Sequence, residues 1–303
     1  MARPVLNGTC PVKPLSSEFF AMRCHVELPV TSMRVCINGW EQNSVIKDCC
    51  ISLSEGEIRA EAGLCVVIPC SFTTSYYFTP QHIVWYKCEP SKPNYADSDI
   101  IFHTNKNNNK TQSGFKGRVS LLEPDVSRRN CSIIVNDLTE SDSGSYQLRV
   151  NGLLYWNTDG FTFSPRTTVS VKGLTQKPTV VIPPLTEGQQ STLSCTAPGL
   201  CSGSVPEISW TWRGAGEKDS HITGNITAFR TENLTAVTQR HSSTLTFISS
   251  AEHHGTTVSC KVSFTNNITT EETVTLNVTY VKEVTVTGNP SVKEGETDSE
   301  LQC

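Results

Sequence analysis

Arg149 is the residue of this sequence whose type and position most suggest ligand chemistry. It follows Tyr146-Gln147-Leu148, a stretch typical of a β-strand. Because successive strand residues point to opposite faces, we expect Tyr146 and Leu148 in the core and Gln147 and Arg149 facing outward. A guanidinium is planar and permanently charged, and it holds a carboxylate with two parallel hydrogen bonds. A cation fixed on a sheet face in this way suits an anionic ligand.

Two aromatic residues, Tyr155 and Trp156, follow Arg149 at the expected turn into the next strand. A fixed cation beside aromatic rings suits a ligand with a carboxylate and an apolar or polyol flank. The same residues also fit a structural interpretation, in which Arg149 is a solvated surface residue and Trp156 covers the end of the domain. Strand alternation does not decide between the two interpretations.

The segments that must position these residues are short, and they are rich in β-branched and aromatic residues. They begin near residue 51, with Gly, Pro, Asn and Ser between them, and the pattern restarts after a Pro-rich connection. This spacing predicts an all-β chain of tandem immunoglobulin-like β-sandwiches. We predict a V-set domain at 51–172, a C2-type domain at 173–280 and the truncated start of a third at 281–303, after an uncertain N-terminal segment at 1–50.

The second repeat has the order cysteine, tryptophan, cysteine that is typical of an immunoglobulin domain, which predicts a Cys195–Cys260 bridge. Trp210 and Trp212 are two residues apart, so they share a face and either could be the core residue. In the first repeat, Leu148 stands where Asp-x-Gly-x-Tyr-x-Cys would place the second cysteine. The nearest alternative partner for Cys70 is Cys131, and this bridge would lie within one sheet.

The sequence has 13 cysteines but no Cys-x-x-Cys pair, which favours disulfides in an oxidising compartment over metal binding. Cys65 has the opposite parity to Cys70, and Cys201 is spare in the second repeat, so a Cys65–Cys201 bridge would join the two domains. Six further cysteines have no evident partner: Cys10, Cys24, Cys36, Cys49, Cys50 and Cys88. Asn-x-Ser/Thr sequons predict glycosylation at Asn7, Asn109, Asn130, Asn225, Asn233, Asn267 and Asn277.

Several function classes are excluded by composition and motifs. The net charge is −4 and no run of Lys and Arg could follow a phosphate backbone, so nucleic acid is not an expected partner. We expect no enzyme, cofactor or metal, because no nucleophile elbow, HExxH motif or phosphate loop occurs. The pair His253-His254 lies in a turn before a cysteine-bearing strand.

The first two domains resemble the sialic-acid-binding immunoglobulin-like lectins (Siglecs), particularly their myelin-associated glycoprotein branch. The resemblance covers about residues 55–280 and rests on five stretches of the first domain and two of the second: GLCVVIPCSF, VWYKCEPSKPNY, FKGRVSLLEPD, RRNCSIIVNDL, DSGSYQLRV, APGLC and STLTFISSAEHHGTTVSC. The combination of a displaced cysteine (Cys131), two spare cysteines (Cys65 and Cys201) and the strand arginine Arg149 is specific to this family. Arg118 and Asp142 resemble the ion pair that closes the bottom of variable domains.

The resemblance implies a sialic acid site on the sheet face, with Arg149 paired to the sugar's carboxylate. It implies an aromatic contact from Tyr155 or Trp156, a further contact from Asn157, and the Cys70–Cys131 and Cys65–Cys201 bridges. The family's first-strand aromatic is missing from ISLSEGEIRAEA, and Trp40 lies far upstream. The implied partners are sialylated glycans, bound at the extracellular face of the plasma membrane. The alternative function is an immunoglobulin-family receptor for a protein partner, without sialic acid recognition.

No basic and apolar leader precedes the first domain, and no segment of the sequence is apolar enough to span a membrane. The resemblance nevertheless implies that the intact protein is membrane-anchored, through a segment absent from this chain.

Overall fold

The computed structural model describes residues 32–36, 49–88, 96–214, 219–220 and 226–281. These residues form an all-β chain of two sandwiches, with short 3-10 turns and no α-helix among them. The 3-10 turns are Asp97–Asp99, Ser113–Phe115, Val126–Arg128, Glu140–Asp142, Ala251–His253 and Thr265–Asn267. Trp40, Asn7, Asn225 and nearly all of the expected third-domain start lie outside the described residues.

The strands of the first sandwich are, in chain order, Ser32–Cys36 (β1), Cys50–Ser54 (β2), Glu57–Glu61 (β3), Val66–Ile68 (β4), Cys70–Thr73 (β5), Phe78–Cys88 (β6), Ile100–His103 (β7), Val119–Leu121 (β8), Ile133–Val135 (β9), Gly144–Leu154 (β10) and Asn157–Lys172 (β11). The front sheet has the order β3-β11-β10-β6-β7. Strand β3 pairs parallel with β11, and the other pairs are antiparallel. Strand β10 is therefore central in this sheet.

The back layer consists of two three-stranded sheets, β1-β2-β5 and β4-β9-β8. They are joined beside Pro69, because the Cys131 N–H donates to the Cys70 carbonyl at 3.0 Å and Ser71 forms a bridge with Asn130. The Cys70–Cys131 disulfide therefore connects neighbouring strands of one layer. Strand β1 belongs to the N-terminal segment at 1–50. Its Cys36 forms a disulfide with Cys50, and neither cysteine had an evident partner in the sequence.

The core of the first sandwich fills the space between these layers. Trp85 is fully buried, and its indole N–H donates to the Cys131 carbonyl at 3.0 Å. Tyr146 and Leu148 lie beside it in the core, as the alternation of β10 predicts. Leu148 is 0% exposed, so an apolar side chain occupies the place of the missing cysteine.

The predicted ion pair between Arg118 and Asp142 is confirmed, and it links the residue before β8 to the 3-10 turn before β10. Asp142 is buried and also accepts a hydrogen bond from the Thr139 N–H at 2.9 Å. The Tyr146 hydroxyl donates to the Asp142 carbonyl, the arrangement called a tyrosine corner. Burial, followed by the nearby Asp142 charge, raises the pKa of Tyr146, so its hydroxyl keeps the proton that this bond needs.

The strands of the second sandwich are Thr179–Val181 (β12), Leu185–Thr186 (β13), Gln190–Thr196 (β14), Glu207–Arg213 (β15), Asp219–Ser220 (β16), Ile226–Asn233 (β17), Gln239–Ile248 (β18), Thr257–Ser263 (β19), Thr269–Thr275 (β20) and Val278–Thr279 (β21). Its four-stranded sheets have the orders β12-β14-β18-β17 and β16-β15-β19-β20, and β13 pairs with β21. The Cys195–Cys260 disulfide connects the two four-stranded sheets. Trp210 is the core tryptophan, and Trp212 is half-buried against the same core.

Covalent and polar contacts join the two sandwiches. The Cys65–Cys201 disulfide links them, and Asp137 accepts hydrogen bonds from the Ser204 N–H at 3.0 Å and from its hydroxyl at 2.9 Å. Glu61 accepts from the backbone N–H of Thr175 at 2.8 Å, within the connecting segment. Partial burial works against ionisation of Glu61, but the hydrogen bonds from this segment outweigh it and lower the carboxyl pKa. A disulfide and side-chain hydrogen bonds thus supplement the chain connection between the two sandwiches.

Most of the described sequon asparagines are accessible. Asn109, Asn233, Asn267 and Asn277 are exposed. Asn130 is half-buried beside Cys131, and its side-chain oxygen accepts from the Ser132 N–H at 2.9 Å. Because an N-linked glycan is attached to the side-chain nitrogen, this hydrogen bond to the side-chain oxygen is compatible with glycosylation at Asn130, and partial burial is what distinguishes this position from the exposed ones.

Candidate functional site

Arg149 lies at the centre of the front sheet and faces away from the core. It stands opposite Thr162 on β11 and Val84 on β6, and Val84 in turn stands opposite His103 on β7. Its side chain is half-buried. The sheet therefore holds the guanidinium on a rigid surface with strands on both sides, as strand alternation predicts.

A β-bulge in β11 lies directly beside Arg149. The register changes from Gln147 opposite Arg166 to Arg149 opposite Thr162, so Leu148 alone faces three residues of β11. Gln147 spans the bulge by donating from its amide nitrogen to the Phe163 carbonyl at 2.7 Å. Bulges redirect the neighbouring side chains of a sheet, and this bulge sets where Thr162 meets Arg149.

Two side chains hold the guanidinium in place. The Arg149 Nε–H donates to the Asn151 Oδ1 at 2.7 Å, and Nη1 donates to the Thr162 hydroxyl at 3.1 Å. Gly160 leaves the room that this arrangement needs, because a Cβ there would lie 2.7 Å from Arg149 Nη2 and 2.3 Å from Asn151 Oδ1. Sequence reasoning missed all three residues. Strand alternation along β10 could have placed Asn151 on the same face as Arg149. Identifying Thr162 and Gly160 as neighbours requires the register between β10 and β11.

Two histidines lie on the same side of the front sheet. His82 stands opposite Asn151, and its ring centroid is 5.6 Å from that of His103. His103 Nδ1 accepts from the Asn105 N–H at 2.8 Å. Burial, followed by the neighbouring His82, lowers the pKa of His103. The His103 ring can therefore add positive charge to this face only in acid.

Gln147 was expected to face outward, on the same side of the sheet as Arg149. It does point away from the core, but it is buried, because the side chains around it on this face are apolar. Val84, Tyr86, Cys88 and Ile100 form a small buried cluster there. The Cys88 thiol lies 3.7 Å from the Gln147 side-chain oxygen, and burial raises the pKa of this thiol. It therefore stays protonated at neutral pH and is a poor nucleophile.

Tyr155 and Trp156 form the two-residue turn between β10 and β11, in which Leu154 pairs with Asn157. Both have positive φ, 46° and 71°, which is the geometry of a type I′ hairpin turn usually made by Asn or Gly. Trp156 is 92% exposed. Tyr155 stacks on Tyr77 with ring centroids 4.8 Å apart.

The structure does not bring these aromatic residues to Arg149. Leu154 is five residues from Arg149 along β10, which corresponds to about 17 Å of strand. The exposed rings instead form a separate group, the aromatic tip, consisting of Tyr76, Tyr77, Tyr155 and Trp156. Asn157 is exposed beside this tip. Arg149 and the aromatic residues thus belong to one hairpin, but Arg149 lies in the middle of its strands and the aromatic residues lie at its turn.

The immunoglobulin V-set domain model matches residues 53–172. This range contains the front sheet and Arg149. The first domain is an immunoglobulin V-set domain. Its sheet order, with β3 parallel to β11 and β10 in the centre, agrees with this assignment.

The chain is also similar to human sialic acid-binding Ig-like lectins 5 and 9. It is 30% identical to the first over 230 residues, which is 74% of this chain and 37% of the relative. It is 31% identical to the second over 235 residues, 75% of this chain and 45% of the relative. The chimpanzee sialic acid-binding Ig-like lectin 12 is 32% identical over 234 residues, 74% of this chain and 34% of the relative. The chain spans less than half the length of these relatives.

These similarities support the Siglec family, and they support the expectation that the chain is not an enzyme, since the relatives are named as lectins. In the part of the chain that the structure describes, no helix has the length and apolar character that crossing a membrane requires.

The histidines predict that stability falls in acid. Because the pKa of His103 is lowered on folding, the unfolded chain binds more protons there, and stability must decrease as pH falls from about 6.5 through the folded pKa. His241 and His253 have pKa values lowered by burial and act in the same direction. Calorimetry should show an unfolding temperature lower by a few degrees at about pH 5.5 than at about pH 7.5. A His103→Gln variant should show a smaller decrease, and an unchanged or higher unfolding temperature in acid would contradict this account.

Proposed function

We propose that this chain is part of a cell-surface lectin of the Siglec family, in which Arg149 binds the carboxylate of terminal sialic acid. The resemblance to the myelin-associated glycoprotein branch belongs to the same proposal. The intact protein would act in adhesion or immune-cell regulation at the extracellular face of the plasma membrane. The exposed sequons and the disulfides favour this location.

The observation that carries the proposal is the fixed guanidinium on the front sheet. Arg149 is half-exposed on a central strand and oriented by Asn151 and Thr162. A planar donor group held in this way can meet a carboxylate without losing much conformational freedom on binding. The relatives named as sialic acid-binding lectins make a sialylated glycan the anionic ligand of choice.

Tyr155, Trp156 and Asn157 remain candidate contacts within this proposal. Since they lie about 17 Å along the hairpin from Arg149, they would contact sugar units other than the one whose carboxylate Arg149 holds. Exposed Trp and Tyr rings offer flat apolar faces with a polar edge, which suits the mixed surface of a saccharide.

Binding at a single site should be weak, because the contact lies on an open, wet sheet face. A dissociation constant near 1 mM, about −4 kcal/mol, is an ordinary value for such a contact. Clustering on dense glycans would then supply the avidity.

The test compares the chain as a monomer and on beads, using cells with and without sialidase treatment. Bead-bound chain should bind untreated cells well, monomer should bind poorly, and sialidase should remove the binding. Equal binding by monomer and beads would contradict the weak-site model. Binding that is insensitive to sialidase would contradict the lectin.

The aromatic tip favours one alternative, a receptor for a protein partner without sialic acid recognition. Tyr and Trp are enriched at the centres of protein interfaces, and the tip presents four such rings to solvent. In that case binding would survive sialidase treatment and would be lost in a Trp156→Ala variant.

A further inference from the structure

Asn151 is the closest polar neighbour of Arg149 on its own strand. It lies two residues along β10 and so shares the same face, and its side-chain oxygen accepts from the Arg149 Nε–H at 2.7 Å. Thr162 binds Nη1 from the adjacent strand at 3.1 Å. Because the two acceptors bind different nitrogens of a planar group, together they set the direction of that plane.

The amide of Asn151 acts without bringing charge to the site. A carboxylate in its place would make a charge-assisted pair with Arg149 and would repel an incoming carboxylate ligand. Gly160 completes the arrangement, since any side chain there would meet both Asn151 and the guanidinium.

We propose that Asn151 is a positioning residue for ligand binding, which fixes the plane of the Arg149 guanidinium through a neutral acceptor that adds no charge of its own. The proposal rests on the function proposed above, since it assumes that the ligand is anionic. It assigns no ligand contact to Asn151 itself.

The first experiment measures the Arg149 Nε–H signal by NMR in the full chain, without ligand. In the wild-type chain the hydrogen bond to Asn151 should slow exchange of this proton with water, and Asn151→Ala should remove that protection. Asn107→Ala is the matched control, because Asn107 is an exposed asparagine of the same domain. Equal protection in wild type and Asn151→Ala would overturn the proposal.

The second experiment measures binding of a sialylated trisaccharide to the same variants. Loss of one hydrogen bond to a charged group should weaken binding by about 10-fold in Asn151→Ala, with an unfolding temperature close to that of the wild type. Asn107→Ala should bind as the wild type does. Undiminished binding by Asn151→Ala would also overturn the proposal.

An Asn151→Asp variant separates positioning from charge. It should keep the Nε–H protected but bind more weakly than wild type at neutral pH, and it should recover relative to wild type as the new carboxyl is protonated. His82 on β6, His103 on β7 and Asp159 and Arg166 on β11 share the surroundings of this position, so the ratio of variant to wild type is compared at each pH. A ratio that does not change with pH would contradict the role assigned to charge.

The two proposals can fail separately. If the wild-type chain binds no sialylated trisaccharide while its Nε–H protection depends on Asn151, the lectin proposal fails and the positioning of Arg149 stands. If the wild-type chain binds and the Asn151→Ala variant binds equally well, the lectin stands and the positioning role fails.

Discussion

An Arg149→Ala variant displayed on beads is expected to bind sialylated cells no better than sialidase-treated cells. The change removes the one cation of the central strand on the front face, together with its fork of donors. Hydrogen bonds to charged groups contribute about 1.5–3 kcal/mol each, so losing a two-bond clamp removes most of an affinity of about −4 kcal/mol. The measurement is bead binding by flow cytometry, beside the unfolding temperature of each variant.

Two further variants make this result specific. Arg149→Lys keeps the charge but loses the planar fork, so binding should fall by about 10-fold rather than disappear. Arg128→Ala removes an exposed arginine of the same domain, from the 3-10 turn between β8 and β9, and should bind as the wild type does. If Arg149→Ala keeps binding that sialidase abolishes, the sialic acid site lies elsewhere on the chain.

An Asp142→Ala variant is expected to destabilise the V-set domain by about 3 kcal/mol, the scale for removing one partner of a buried ion pair. Asp142 is 3% exposed and pairs with Arg118, which would be left half-buried without its counter-charge. The Thr139 N–H would lose its acceptor as well. Urea unfolding followed by tryptophan fluorescence should report this change, because Trp85 lies in the core of the same domain.

Glu140→Ala is the matched control for this variant. Glu140 belongs to the same 3-10 turn as Asp142, but its side chain is exposed, so its removal should change stability by less than about 0.5 kcal/mol. A loss below about 1 kcal/mol in Asp142→Ala would mean that the ion pair does not stabilise the domain appreciably.

The sequence predicts two kinds of feature: those that follow from the alternation of residues along a strand, and those that follow from the order of a few residue types along the chain. Alternation along β10 places Leu148 in the core and Arg149 on the opposite face. The order of cysteine and tryptophan predicts the sandwich fold. The Arg118–Asp142 pair follows from motifs that recur in variable domains. Each of these depends on residues that are close in sequence or on a pattern with few alternatives.

Features that depend on register or on distant strands could not be predicted in the same way. Tyr155 and Trp156 adopt a turn that normally selects Asn or Gly, so the sequence does not show how tightly the hairpin closes or how far Trp156 lies from Arg149. The bulge opposite Leu148 decides that Thr162 meets Arg149. Gln147 has the parity of an exposed residue, yet it is buried by the apolar residues of β6 and β7 on the same face.

The Cys65–Cys201 disulfide has a mechanical consequence. A ligand held at Arg149 and pulled outward loads a central strand, and that load must pass from the first sandwich to the second. It has two covalent routes, the connecting segment after Lys172 and the disulfide, so neither is stretched alone. The contacts of Glu61 and Asp137 keep the joint from opening sideways. The two sandwiches would therefore move as one rigid unit under tension, with little bending between them.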